Sequence, residues 1–582
     1  MRRITTLLAL LLTVLPALAQ EVKVEEHTLE NGMRLLLVPR HDEPTVAGGW
    51  VAHVGSANER PGITGISHLF EHMMFKGTPV IGLKDPKDYE KDLQILAEQE
   101  RIRGDMRAEE AKMRVAFRRG DIDDLAKPEN KTARYVELEK EFDKLVAAER
   151  ELIAKNAFSQ IYTKQGGSGQ NAFTNTDITG YFVTVPKNRL ELWFWMEADR
   201  LIRPVFREFY SERDVVFEER RLRTESTPTG RLDEAFEGIF WQGHPYSWPV
   251  VGYPSDIPAI TKAQADDYYS LFYAPNNLTV ILVGDFDSKD AVALAQRYLG
   301  RLQRGKTPPP EMTTLAPKWE AEVRFYGEAE TNPQVDIMWH TVGFQHKDSY
   351  PLSVLGDVLN GRTGRLFKGL VDLKPADRAL ATQARGTQQS RKYGGLFDIT
   401  AEVKEGKTPE EVERAIYAEL DRIKTEGVPD RELQKVKNNS AAGAFRRLSN
   451  NNAIMFQLIS NDGLGDWHEM NEGPKKIQAV TSADIQRVAK AYLVKENRAV
   501  AVYTRKGGSQ PDDPALAGVP AEMRPRLKSQ LAQIAASTDA AKLKENIQRM
   551  ESQAGNAPPQ MKSVIELMLA KARERLAQLE KK

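Results

Sequence analysis

His68, Glu71 and His72 stand at i, i+3 and i+4, a spacing that puts two imidazoles and a carboxylate on one face only if the chain is helical there. The run before them, residues 45–56, carries Val46, Trp50, Val51 and Val54 and reads as a strand. A loop from Asn58 to Gly62 joins the two, so the motif lies where a strand gives way to a helix. Two neutral imidazoles can grip one zinc ion, which needs three protein ligands and an open position, and a carboxylate beside it can take a proton from water. His68 and His72 supply two ligands, and a third has to come from elsewhere in the chain.

The chain has 582 residues, too many for one core, so two or more domains are expected. An apolar content of 41% with 28% charged residues fits a soluble globular protein. Lys plus Arg and Asp plus Glu both number 82, a balance that argues against nucleic acid or an anionic membrane surface as partner. There is no cysteine, which excludes disulfides, thiolate ligands and a thiol nucleophile. At the start, Arg2-Arg3, an apolar run from Leu7 to Leu18 and Ala17-Leu18-Ala19 read as a secretory signal cleaved near Ala19. That run is too short to span a bilayer, so a periplasmic or secreted mature chain without a transmembrane segment is expected.

The order H-x-x-E-H inverts the common zinc-protease signature. His53-Val54-Gly55-Ser56-Ala57-Asn58-Glu59 followed by Gly65-Ile66-Ser67-His68-Leu69-Phe70-Glu71-His72-Met73-Met74-Phe75-Lys76-Gly77-Thr78 resembles the active-site segment of the pitrilysin (M16) family of zinc peptidases. Asn171-Ala172-Phe173-Thr174 with Tyr181-Phe182-Val183 resembles the family's substrate-binding edge strand. Tyr273-Ala274-Pro275-Asn276-Asn277-Leu278 through Gly284-Asp285-Phe286 resembles a later strand of the same half. The likeness covers most of residues 23–300, with a weaker echo over 320–505.

The resemblance implies an α+β fold of two related halves that close like a clamshell around a peptide, with one Zn2+ per chain. It implies Glu71 as general base and a third ligand from a glutamate in the segment 211–220. Glu212 and Glu219 are seven apart and share a helix face, and the family uses such a pair. Glu219 is then the ligand and Glu212 the carboxylate that orients a ligating histidine, with Glu218 as rival for the ligand role. Asn171, Ala172, Phe173 and Thr174 would bind substrate by strand addition.

Along the chain, residues 27–39 read as a hairpin around Asn31-Gly32. Residues 84–155, dense in Glu, Lys and Arg with Leu93, Leu96, Ile102 and Met106 at helical spacing, read as a charged helical hairpin inserted into the first half, or as a solvated arm. The prolines of 304–310 mark a linker. Strands are expected at 335–342 and 397–403, helices at 350–359 and 409–425, and 483–505 repeat the helix-then-strand ending of the first half. The expected domains are a signal at 1–19, a zinc-bearing half at 20–303, a linker at 304–318, a second half at 319–505 and a Pro-rich then helical tail at 506–582.

Many relatives carry an arginine and a tyrosine in the second half that contact substrate. Here 365–370 and 378–382 have no tyrosine, and Ala381 or Thr382 stands where it would be. The resemblance therefore implies a periplasmic endopeptidase for peptides or unfolded polypeptides, paired with a zinc-free homologous subunit or a second copy. The alternative is a pitrilysin-fold binding or assembly protein without catalysis.

Overall fold

The computed structural model describes residues 21–506 and, in the tail, scattered positions from 527 to 537, residues 539–554 and residues 559–580. The signal read over 1–19 and the Pro-rich stretch after 506 lie outside the described residues.

The first half is built on a six-stranded sheet in the order β1-β2-β6-β3-β5-β4. Its strands are β1 (Glu25–Thr28), β2 (Arg34–Pro39), β3 (Thr45–Ala52), β4 (Ser168–Thr174), β5 (Thr179–Pro186) and β6 (Leu278–Gly284). β1 and β2 form the expected hairpin, with Thr28 opposite Arg34 and Gly32 at φ 89° in its turn. The second half has five strands in the order β7-β11-β8-β10-β9. They are β7 (Val323–Ala329), β8 (Gln334–Thr341), β9 (Ala381–Ser390), β10 (Gly395–Val403) and β11 (Arg498–Arg505). Matched strand for strand, this order repeats β2-β6-β3-β5-β4, so the chain is α+β with two related halves. β4 and β9 are the equivalent edge strands.

Strands β2, β6 and β11 are apolar at successive positions because both of their faces are covered. In β2 and β6, Leu35, Leu37, Val280 and Leu282 enter the core under α1 (Ile66–Met73). Leu36, Val38, Ile281 and Val283 enter a second core on the opposite face. The first half continues with α2 (Tyr89–Arg119), α3 (Ala133–Leu152), α4 (Ala157–Lys164), α5 (Leu190–Ile202), α6 (Phe209–Arg220), α7 (Gly230–Phe240), α8 (Lys262–Phe272) and α9 (Ser288–Tyr298). The second supplies α10 (Ser349–Leu359), α11 (Pro409–Glu426), α12 (Asp430–Arg447), α13 (Asn451–Leu464), α14 (Glu469–Ala479) and α15 (Ser482–Tyr492).

The opposite faces are covered by exchange. α13, from the second half, lays Ile454, Met455, Leu458 and Ile459 on the outer face of the first sheet. Reciprocally, α7 of the first half puts Phe236 and Phe240 on Ala499, Ala501 and Tyr503 of β11. Asp462 of α13, fully buried, is ion-paired to Arg34 at 3.0 Å and lies 3.2 Å from the His53 ring in the first half. The Pro-rich connection is not a loose spacer: Met312, Ala316 and Trp319 pack into the α7 core. The tail is described by itself, as α16 (Ala540–Ala554) and α17 (Pro559–Glu580), joined through Leu543, Ile547, Leu569 and Ala572. Among the described residues, no helix is long and apolar enough to cross a membrane.

The charged insertion is the helical pair α2 and α3, broken around Gly120 and Pro128 as the sequence suggests. Its inner stripe holds Ile102 and Met106 as expected, and in the first turns it lies one position before the expected Leu93 and Leu96. Ile95, Ile102 and Met106 face α3, whereas Leu93 is exposed and Asp92 points inward to Arg207 at 2.8 Å. A buried cation, not an apolar contact, decides the phase at the base of the hairpin.

Candidate metal and catalytic centre

α1 begins at Gly65, whose φ of 91° favours glycine and where any Cβ would lie 2.5 Å from the Val251 carbonyl oxygen, so that no other residue fits. Glu59 caps the helix with both carboxylate oxygens, accepting from Gly65 N and Ser67 N at 2.8 Å each. Ile66, Leu69, Phe70 and Met73 bury the inward face, with Phe70 stacked on Tyr268 and edge-on to Phe206. The opposite face is thereby fixed, and it presents His68, Glu71 and His72.

α6 runs alongside and brings Glu219 to the histidines. Its Oε2 lies 3.8 Å from His68 Nε2 and 3.4 Å from His72 Nε2. One ligand atom from each of the three residues lies within 4.8 Å of the others. Glu212, two turns earlier, meets His72 Nδ1 at 3.3 Å, and its other oxygen is held by Lys76. Glu218 faces solvent and pairs with Arg221 at 3.0 Å. After α6 the helix widens to a π-turn over Arg221–Glu225, from which Arg223 reaches Glu219 Oε1 at 2.6 Å.

This donor set suits zinc chemically. It offers two imidazole nitrogens and one carboxylate, and leaves room for an open fourth position. Burial, with His72 and Arg223 nearby, pulls His68 down to about 3, so that it is a neutral imidazole at ordinary pH. Its buried Nδ1 has no hydrogen-bond partner among the described residues. For His72, burial acts downward, but the hydrogen bond and charge of Glu212, with Glu219 and Glu71, outweigh it and hold the ring above its ordinary value. The Glu212 contact fixes which nitrogen faces Glu219.

Glu71 is not within this triad. Its Oε2 accepts the hydroxyl of Thr174 at 2.8 Å, which ties the motif to the last residue of β4. Burial raises the Glu71 carboxyl above its usual range, against the hydrogen bond from Thr174 and the charge of His72. β4 is paired to β5 on one side, with Ala172 opposite Tyr181, and is free on the other. The edge strand, the carboxylate and the histidine pair thus lie side by side.

In the second half, Arg365 is engaged by Glu432 at 2.9 Å and by the Gly427 carbonyl at 3.2 Å. Arg378 sits in an exposed turn before β9. The edge of β9 is closed at its middle, where the Asn360 side chain accepts Gly386 N–H at 2.9 Å and donates to Gly386 O at 2.6 Å. Sequence reading missed this plug. It also missed Lys76 and Arg207, whose partners lie more than a hundred residues away and leave no local signal.

Residues 34–108 match the family model described as Insulinase (Peptidase family M16), and residues 259–440 match that described as Peptidase M16 inactive domain. The chain is 26% identical over 496 residues to zinc protease PqqE of Helicobacter pylori, covering 83% of this chain and 93% of that one. It is 25% identical to the probable zinc protease PqqL of Escherichia coli over 53% of this chain, but only 27% of that relative. In fold it matches a crystal structure of a protease from Helicobacter pylori with a TM-score of 0.66 at 23% identity, over 83% of this chain and 99% of that one. Two halves of one strand order, an H-x-x-E-H helix beside an edge strand, and these matches together make the chain similar to the pitrilysin (M16) family of peptidases.

Proposed function

We propose that the chain is a zinc-dependent endopeptidase acting on peptides or unfolded polypeptides in the bacterial periplasm. His68, His72 and Glu219 are its metal ligands, Glu71 its general base, and Glu212 the carboxylate orienting His72. The observation that carries this reading is the convergence of Glu71, tied to Thr174, with the three candidate ligands beside an unpaired strand edge. Zinc, when bound, supplies Lewis-acid polarisation of water and of the scissile carbonyl. A substrate strand adds to the edge at Asn171, Ala172, Phe173 and Thr174 through main-chain hydrogen bonds, which favours extended, unfolded segments over folded proteins. Glu71 takes a proton from the attacking water and returns it to the leaving nitrogen. Thr174 fixes the carboxylate rotamer between those two transfers.

Several finer assignments belong to the same reading. The halves are residues 20–303 and 319–505, joined by 304–318 and followed by the tail from 506. Export is supported by the leader-like start and by the relative PqqL, whose crystal structure is described as that of a periplasmic protease. The absence of a tyrosine at Ala381 or Thr382 supports pairing with a zinc-free homologue or a second copy.

The second reading, a non-catalytic binding or assembly protein, draws on the description of the 259–440 match as an inactive domain. Zinc analysis of the purified mature chain, with hydrolysis of an unstructured peptide, separates the two. One zinc per chain and cleavage abolished in Glu71→Gln with the metal retained are expected. Absence of zinc and of cleavage in the wild-type chain would establish the second reading.

A further inference from the structure

The charged hairpin α2–α3 is rooted beside the metal centre. Lys84 N donates to Leu152 O at 2.8 Å and Ala154 N to Gly82 O at 2.9 Å, which closes the base of the insertion into a short ladder. Arg207, just before α6, is 1% exposed and is shared between the two sides of this base. Its guanidinium donates to Asp92 of α2 at 2.8 Å and to the carbonyls of Thr78 and Ile81, in the loop that follows the motif helix, at 2.9 and 3.0 Å.

Beyond Arg207 stands Glu208, a non-glycine residue at φ 55° and the residue from which α6 springs. Such a conformation is sparsely populated and has to be held by its surroundings. The group that holds it is Glu149 of α3, itself 1% exposed. One Glu149 oxygen accepts Glu208 N–H at 2.7 Å, and the other accepts the amide of buried Gln99 on α2 at 2.7 Å. The Glu208 carbonyl then accepts Glu212 N–H at 2.7 Å, and its side chain meets Lys76, which also holds Glu212.

Glu208, Glu212 and Glu219 are spaced four and eleven residues apart, close to one and three full helical turns, so they share one face. Whatever sets the first turn of α6 sets the direction in which Glu212 and Glu219 point. We propose that Glu149 of the inserted hairpin is a positioning residue for the metal centre, fixing the start of α6 so that Glu212 meets His72 and Glu219 meets both histidines. The insertion is then a strut for the third ligand as well as an arm, and the inference rests on the zinc reading above.

The test compares wild type, Glu149→Ala, Glu149→Gln and Gln99→Ala in the full mature chain. Zinc affinity is measured by chelator competition, and amide hydrogen exchange over residues 208–213 is measured on metal-free protein. Glu149→Ala should weaken zinc about 10-fold or more, the scale typical for loss of groups that orient ligands, and should speed exchange in that segment. Glu149→Gln keeps an acceptor for Glu208 N–H and should recover most of the affinity, and Gln99→Ala should fall between. A residue that only supports the fold would lower the melting temperature without moving the zinc affinity of folded protein. Unchanged affinity and unchanged exchange in Glu149→Ala would overturn the proposal, and should that variant not fold, Gln99→Ala decides in the same way. If wild type takes up no zinc, the metal reading fails on its own, and the exchange measurement still decides whether Glu149 holds α6.

Discussion

The Thr174 hydroxyl donates to Glu71 Oε2 across 2.8 Å, and this one bond joins the edge strand to the motif carboxylate. Thr174→Val keeps the shape of the side chain and removes the donor. Turnover of an unstructured peptide should fall roughly 10-fold, since small misplacements of a catalytic group cost rate steeply. Zinc content should stay at the wild-type level. Loss of metal in this variant would show that Thr174 acts on the ligands and not on Glu71.

His340 on β8 and His244 lie buried in the seam under α7, with His340 stacked on Phe240 at 3.9 Å. Burial, partly offset by a backbone contact at Phe240 and reinforced by His244, draws His340 down to about 4. Burial and the nearby Arg391 draw His244 to about 4, against a backbone contact at Thr314. The unfolded chain takes up protons near 6.5 that the folded chain refuses, so stability is full above that value and declines as the pH falls from 6.5 to 4. The loss approaches about 3 kcal/mol per histidine at the low end. Melting temperatures across that range should fall with pH, and His340→Phe should flatten the slope. An equal slope in the variant would rule out His340 as its source.

Asp462 has no exposed surface and meets Arg34 at 3.0 Å and His53 at 3.2 Å from the other half. Burial works against its ionisation, but the hydrogen bond and charge of His53 and the charge of Arg34 keep its carboxyl below the usual value. Its contribution is present above about 4 and is lost on further acidification. Asp462→Ala should destabilise the chain by about 3 kcal/mol, because the Arg34 guanidinium and the His53 ring lose their buried partner. Denaturant unfolding at neutral pH measures this, and a change under about 1 kcal/mol would remove the ion pair from any role in holding the halves.

Asn360→Ala removes the plug from the β9 edge. Two hydrogen bonds to Gly386 are lost, at a cost of about 2 kcal/mol, and a backbone donor and acceptor lose their partner on the edge strand. Light scattering at raised concentration should then show self-association that the wild-type chain lacks. A variant that stays dispersed would show that the flanking loops already cover this edge.

The motif helix, the hairpin at Gly32, the inserted helices and the helix-then-strand ending at residues 482–505 were legible because each is written in local periodicity or turn chemistry. A carboxylate from 211–220 beside the histidines was implied by the family resemblance, with Glu212 and Glu219 on one helix face, although only packing shows Glu218 turned to solvent toward Arg221. What was not legible is carried by pairs distant in sequence. Asp92 with Arg207, Glu149 with Glu208 and Asn360 with Gly386 join polar groups that look like surface residues until the fold buries them. Leu93 was misplaced for the same reason, since Asp92 claimed the inward position.

The crossed placement of α7 and α13 has a consequence for the order in which the chain is made. Leu36, Val38, Ala47, Val51, Ile281 and Val283 are all synthesised before residue 284, yet the helix that covers them begins only at Asn451. For the interval in which the ribosome adds those intervening residues, a completed first sheet would display a bare apolar face. Such a chain gains from staying unfolded until it is whole. A fragment ending near residue 303 is expected to be insoluble, and a chaperone that holds extended polypeptide is the natural companion of its biogenesis.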